Sequence, residues 1–209
     1  MWLIADAPKR LRERAFGRLR GEANIKRLVA DGLQLGENTH IARPVFIDGL
    51  HPWLITIDDY ATLGIGVHVI THDASLSHHI GLTRIATVIV GKRAYVGSGA
   101  ILLPGTNIGE DSVVAAGAVV HGEVPPGSLV VGNPAKVSKI KAVVAWNRTT
   151  AKGAPSWPRE GWSMASGITE ARKREQREAL ADGVSGYVPA TAAPDGPHGL
   201  REQGPPDAR

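Results

Sequence analysis

Residues 90–124 read VGKRAY-VGSGAI-LLPGTN-IGEDSV-VAAGAV-VHGEV, the most regular segment of the chain. Every sixth residue from Val90 is a large aliphatic: Val96, Leu102, Ile108, Val114 and Val120 follow in step. Ile, Leu and Val make up 50 of the 209 residues. Six in register at a chosen phase therefore arise by chance about twice in ten thousand. The second position of these units holds Gly91, Gly97, Leu103, Gly109, Ala115 and His121. The fifth holds Ala94, Ala100, Thr106, Ser112, Ala118 and Val124, so it is small or Val throughout. Upstream the same rule recurs at Leu35, Ile41 and Ile47, and again at Ile57, Leu63 and Val69.

A period of six is neither helical nor a simple strand alternation, so each unit is one short strand plus a corner. Three units close a triangular coil of eighteen residues. That geometry stacks Val90 on Ile108, Val96 on Val114 and Leu102 on Val120, with small residues beside the corners. Neighbouring coils then pair their backbones in a parallel β-helix. The reading is all-β, with an N-terminal helical segment over 1–33 and the repeat domain over 34–147. Within it lie an excursion loop at 71–89 and a terminal helix at about 135–147. The first zone carries an amphipathic pattern that ends at Asp31-Gly32, where glycine suits a helix C-terminus. Residues 148–209 hold seven of the fourteen prolines and read as a mostly disordered tail, with a short charged helix possible from Ile168 to Leu180.

Composition narrows the chemistry. With no cysteine, a thiol nucleophile, disulfides and thiolate metal sites are excluded. A formal charge of +4 fits a phosphorylated cofactor without calling for nucleic acid. Neither a signal sequence nor a run of roughly 20 apolar residues is evident, and a cytoplasmic location is the expectation. Of the eight histidines, His72 stands out, because it follows a regular rung and precedes the main break in phase. A loop leaving a rigid scaffold is a usual home for function, and imidazole titrates near working pH. Asp73 interrupts the small-residue rule at position five; it either orients His72 or satisfies the loop's own amides.

The segment from Val96-Gly97-Ser98-Gly99-Ala100 through Leu103-Pro104-Gly105-Thr106-Asn107-Ile108-Gly109 to Gly132-Asn133-Pro134-Ala135-Lys136 resembles the hexapeptide-repeat, or isoleucine-patch, acyltransferases. It is most similar to maltose/galactoside and surface-polysaccharide O-acetyltransferases. The resemblance covers roughly residues 22–145 and implies a left-handed β-helix, a homotrimer and acetyl-CoA as acyl donor. The implied acceptor is a hydroxyl on a small molecule, sugar or polysaccharide precursor. His72 matches the family's general base, and Tyr95 an aromatic residue beside the acceptor. Ser98 matches a backbone donor to the thioester carbonyl, Ala116 a contact to the pantetheine arm and Lys136 a basic residue near the cofactor phosphates. Two departures stand out. His121-Gly122 replaces a Thr-Lys pair, and the acceptor-pocket asparagine has no counterpart, leaving Asp48 or His51 to occupy that region.

Two other functions compete. Zinc carbonic anhydrases share the fold, and His68, His72, His78 and His79 supply imidazoles of the required type. Alternatively the basic, amphipathic stretch over residues 9–20 binds a membrane or a partner, and the coil is an inert support.

Overall fold

The computed structural model describes residues 24–141, 144, 145, 149, 154–158, 167–181 and 185. The chain divides into two units, Met1–Lys141 and Ala142–Arg209.

The first unit is a left-handed parallel β-helix with three flat faces. One face stacks Gln34–Leu35, Ile55–Ile57, Val88–Val90, Asn107–Ile108 and Glu123–Val124. The second stacks His40–Ile41, Thr62–Leu63, Tyr95–Val96, Val113–Val114 and Ser128–Val131. The third stacks Phe46–Ile47, His68–Val69, Ile101–Leu102 and Val119–Val120. The three pairings expected from the period are all present: Val90 on Ile108, Val96 on Val114 and Leu102 on Val120.

The sequence rule has a packing cause at each position. The aliphatic that opens each unit points to the axis, and Ile57, Leu63, Val90, Val96, Leu102, Ile108 and Val114 are all fully buried. Fifth-position residues tuck beside the corners, where Ala94, Ala100, Thr106, Ser112 and Ala118 are at most 1% exposed. The two hydroxyls among them are satisfied there. Thr106 Oγ1 donates to Val120 O at 2.9 Å, and Ser112 Oγ donates to Pro125 O at 3.0 Å. Second-position glycines allow the next coil to close. A Cβ on Gly97 would lie 2.5 Å from Ala116 N and 2.8 Å from Ala115 C. Backbone cannot retreat as a side chain can, so Gly97→Ala is expected to cost about 1–3 kcal/mol in chemical denaturation. An unchanged unfolding midpoint would contradict this account of the stacking.

Three expectations are corrected. Val124 is not a fifth-position residue. The corner at His121-Gly122 is two residues short, with Gly122 at φ +78°, so Val124 rather than Pro126 stacks on Ile108. The terminal helix expected at about 135–147 begins later. Lys136–Lys139 is a strand antiparallel to Ser128–Val131, and helical residues start at Ile140. In the second unit, Glu170–Ala179 is a helix capped by Thr169, whose side chain accepts from Arg172 N at 3.3 Å, where a solvated tail is the simpler sequence reading. The rest of the expected disorder over 148–209 falls largely outside the described residues.

Of the helical segment expected over 1–33, only residues 24–33 are described; there Ile25–Ala30 is helix, capped by Asn24 and terminated at Asp31. Gly32 follows at φ +109°, the left-handed conformation anticipated at that stop. The basic stretch over 9–20 lies outside the described residues.

Candidate functional site

Two breaks in the coil occur at the same edge, between the third face and the first. The chain leaves this edge at 48–54 and again after Val69, so residues from both excursions meet. Ile47 pairs with Val69 one coil on. Asp48 N donates to Val69 O at 2.9 Å, which brings its carboxylate beside Thr71 and His72. The second excursion is a hairpin arm. His72–Asp73 pairs antiparallel with Arg84–Ile85, and the short helix Ser77–Ile80 lies between them.

Asp48 is the hub of this edge. Its Oδ2 accepts from Thr71 Oγ1 at 2.5 Å and from Thr71 N at 3.1 Å. Oδ1 accepts from Leu50 N at 2.9 Å, and Oδ2 lies 2.5 Å from His72 Nδ1. Burial of this side chain, 5% exposed, opposes its charge. The donors from Thr71, Leu50 and His72 outweigh that burial and lower its pKa from 3.8 to about 2. An ionised carboxylate only accepts, so the hydrogen shared with His72 sits on Nδ1. The lone pair of His72 is therefore on Nε2, the arrangement a general base needs.

A depressed carboxyl pKa contributes stability above the unfolded-state value, and that contribution fades as pH falls through the folded value. The unfolding free energies of the native chain and Asp48→Asn should therefore converge between pH 3.8 and about 2. A difference that stays constant through that window would contradict this wiring.

The other candidate residues are distributed as follows. Asp73 is exposed, and its Oδ1 accepts from Ser75 N at 2.8 Å. Ser75's amide and hydroxyl hold its carboxyl below the ordinary value. The carboxylate on His72 is thus Asp48, while Asp73 serves its own loop. Asp48, which with His51 was open to the acceptor region, is hydrogen-bonded to His72. Ser98 and Ala116 lie at a different edge, between the second and third faces, one coil apart and both exposed. Ser98 O accepts from Gly117 N at 2.9 Å, which stacks the two corners. Gly132–Ala135 continues this edge through Val119 N to Gly132 O and Ala135 N to Val119 O, and Lys136 stands at its end. Ser98, Ala116 and Lys136 therefore form one line, separate from the edge of Asp48 and His72. Tyr95 projects from the second face and is 47% exposed.

Sequence reading missed Thr71, which anchors Asp48, and the proximity of His51. His51 lies in the first excursion with its ring centroid 6.0 Å from that of His72 and 5.5 Å from that of Trp53. The four histidines considered for zinc do not gather. His68 stacks on Phe46 at 4.5 Å, and His78 and His79 are exposed on the short helix of the arm.

A family model described as the hexapeptide repeat of succinyl-transferase matches residues 87–121. A candidate acetyltransferase of Bacillus subtilis (strain 168) is 30% identical over 105 residues, covering 50% of this chain and 59% of its own. A candidate acetyltransferase of Schizosaccharomyces pombe is 35% identical over 108 residues, covering 48% and 52% respectively. This chain thus spans about half to three-fifths of the length of these curated relatives. Among solved structures, a hexapeptide-repeat acetyltransferase from Vibrio cholerae complexed with acetyl coenzyme A is 30% identical. Its TM-score is 0.47, with 52% of this chain and 60% of that one covered. A galactoside acetyltransferase in complex with coenzyme A is 20% identical with a TM-score of 0.43, covering 64% and 84%.

Proposed function

We propose that this chain, which carries the hexapeptide repeat over residues 87–121, is a hexapeptide-repeat acyltransferase, and specifically an acetyl-CoA-dependent O-acetyltransferase with His72 as general base. The observation that carries this reading is the Asp48–His72 pair at the edge where the coil is twice interrupted. The named relatives support acetyl transfer as the reaction.

The steps follow from the residues. His72 Nε2 takes the proton of the acceptor hydroxyl as its oxygen attacks the thioester carbonyl carbon. The carbon–sulfur bond breaks, and the imidazolium returns the proton to the departing CoA sulfur. Asp48, held ionised by Thr71 and Leu50, fixes the ring tautomer and stabilises the imidazolium between these events. With no cysteine, no enzyme thioester forms, and direct transfer is the simplest scheme. Backbone N–H groups along the Ser98–Ala116 edge are suited to the thioester carbonyl and the pantetheine arm, and Lys136 to a phosphate.

Those two sets of residues occupy different edges of a three-sided prism. A site that uses both is completed by a second copy of the chain, whose Ser98 edge meets the first copy's His72 edge. A homotrimer closes that contact, each copy's Ser98 edge meeting a neighbour's His72 edge. The arm supports it, since Leu76, Ile80, Leu82 and Ile85 are all more than half exposed. The acceptor is a hydroxyl of a sugar or a related small molecule.

The test is CoA release from acetyl-CoA across panels of sugars, nucleotide sugars and small alcohols. Release with a hydroxyl acceptor, accompanied by a trimer in solution, is the expected result. Release with amines alone, or with no acceptor of any kind, would overturn the reading.

A further inference from the structure

We infer that Asp48, His51 and His72 form a binding site for a borderline divalent cation, Zn2+ being the best match. We infer further that occupation by the ion and service as a base exclude one another. Each residue offers one donor atom, and the three atoms lie within 4.8 Å of one another. Zinc binds imidazole nitrogen and carboxylate oxygen at about 2.0–2.2 Å, which puts two ligands of a tetrahedral ion about 3.4 Å apart. The trio brackets that spacing. Asp48 Oδ2 and His72 Nδ1, at 2.5 Å, must part to admit an ion.

Two features point to an ion rather than to chance proximity. His51 Nδ1 is buried and has no hydrogen-bond partner. A buried imidazole nitrogen without a partner is a standing cost, which a metal bond at that atom would remove. The segments that carry the donors are also anchored. Asp48 is tied to Thr71 and Leu50, and His51 sits at the start of a short turn, Pro52–Leu54, beside the Trp53 ring. Two nitrogens and one carboxylate favour zinc, cobalt or nickel over magnesium or calcium, which prefer all-oxygen sites.

Exclusion follows from the imidazole. A neutral ring bound to the ion through Nδ1 carries its hydrogen on Nε2. A ring bound through Nε2 has no lone pair left there. Neither form can accept a proton from a hydroxyl. Ion binding itself is independent of the acyl-transfer reading, whereas the exclusion rests on it.

The experiment titrates chelator-treated full-length protein with Co2+, followed by its visible absorption, and then displaces it with Zn2+. One equivalent is expected to bind. His51→Ala, His51→Gln and Asp48→Asn should each weaken binding by at least about tenfold, with thermal unfolding confirming that each variant is folded. Zn2+ should stop acetyl transfer, and EDTA should restore it. No saturable absorption, or absorption unaffected in the folded variants, would overturn the site. Full turnover with Zn2+ bound would overturn the exclusion. Transfer measured in EDTA tests the acyltransferase reading separately.

Discussion

Replacing His72 with alanine is expected to lower acetyl transfer by about 10²–10⁴-fold, the range by which a positioned base accelerates such a step. The imidazole is partly exposed on a hairpin arm and contributes nothing to the buried core. Its removal should therefore leave the unfolding midpoint and the oligomeric state unchanged. Binding of acetyl-CoA should also persist, because the residues matched to the cofactor stand on the edge of Ser98, Ala116 and Lys136. Steady-state turnover and calorimetric CoA binding separate these effects. A variant with near-normal turnover would remove His72 from the mechanism. A variant that loses CoA binding and activity together would point to a structural role.

Asp48→Asn is expected to lower turnover by about 10²–10⁴-fold as well, by a different route. An amide nitrogen facing His72 Nδ1 donates where the carboxylate accepted. The ring hydrogen then moves to Nε2, and the lone pair faces the wrong way. The amide also lacks the charge that steadies the imidazolium. Asp73→Asn serves as the comparison, since its carboxylate caps the Ser75 amide while Asp48 holds His72 Nδ1. Its turnover should change little. If Asp73→Asn is the crippled variant and Asp48→Asn is active, the assignment of partners is reversed.

The coil was readable from the sequence because its cause is local and repeated. An aliphatic every sixth residue buries only if three units close a turn, so the pairing of Val96 with Val114 follows from arithmetic. The same arithmetic failed at Val124. A glycine at 122 can take positive φ and cut a corner short by two residues, and nothing in the aliphatic spacing announces it. His72 was legible as the residue at the largest break in phase. Its partner was not, because Asp73 is adjacent in sequence while Asp48 is adjacent in space. The clue was available: Ile47 and Val69 occupy equivalent ladder positions, so Asp48 necessarily lies one coil below the start of the arm. Lys136–Lys139 departs from the expected helix because a hairpin return on the last coil leaves no six-residue signature.

The most direct measurement is a crystal structure of the full chain bound to CoA together with an acceptor identified by the release assay. The account predicts the CoA sulfur within about 6 Å of His72 Nε2, with the acceptor hydroxyl between them. Asp48 would remain on Nδ1, and the Ser98 edge of a second copy would flank the pantetheine arm. CoA bound on another edge, or His72 Nε2 turned away from the acceptor, would contradict it.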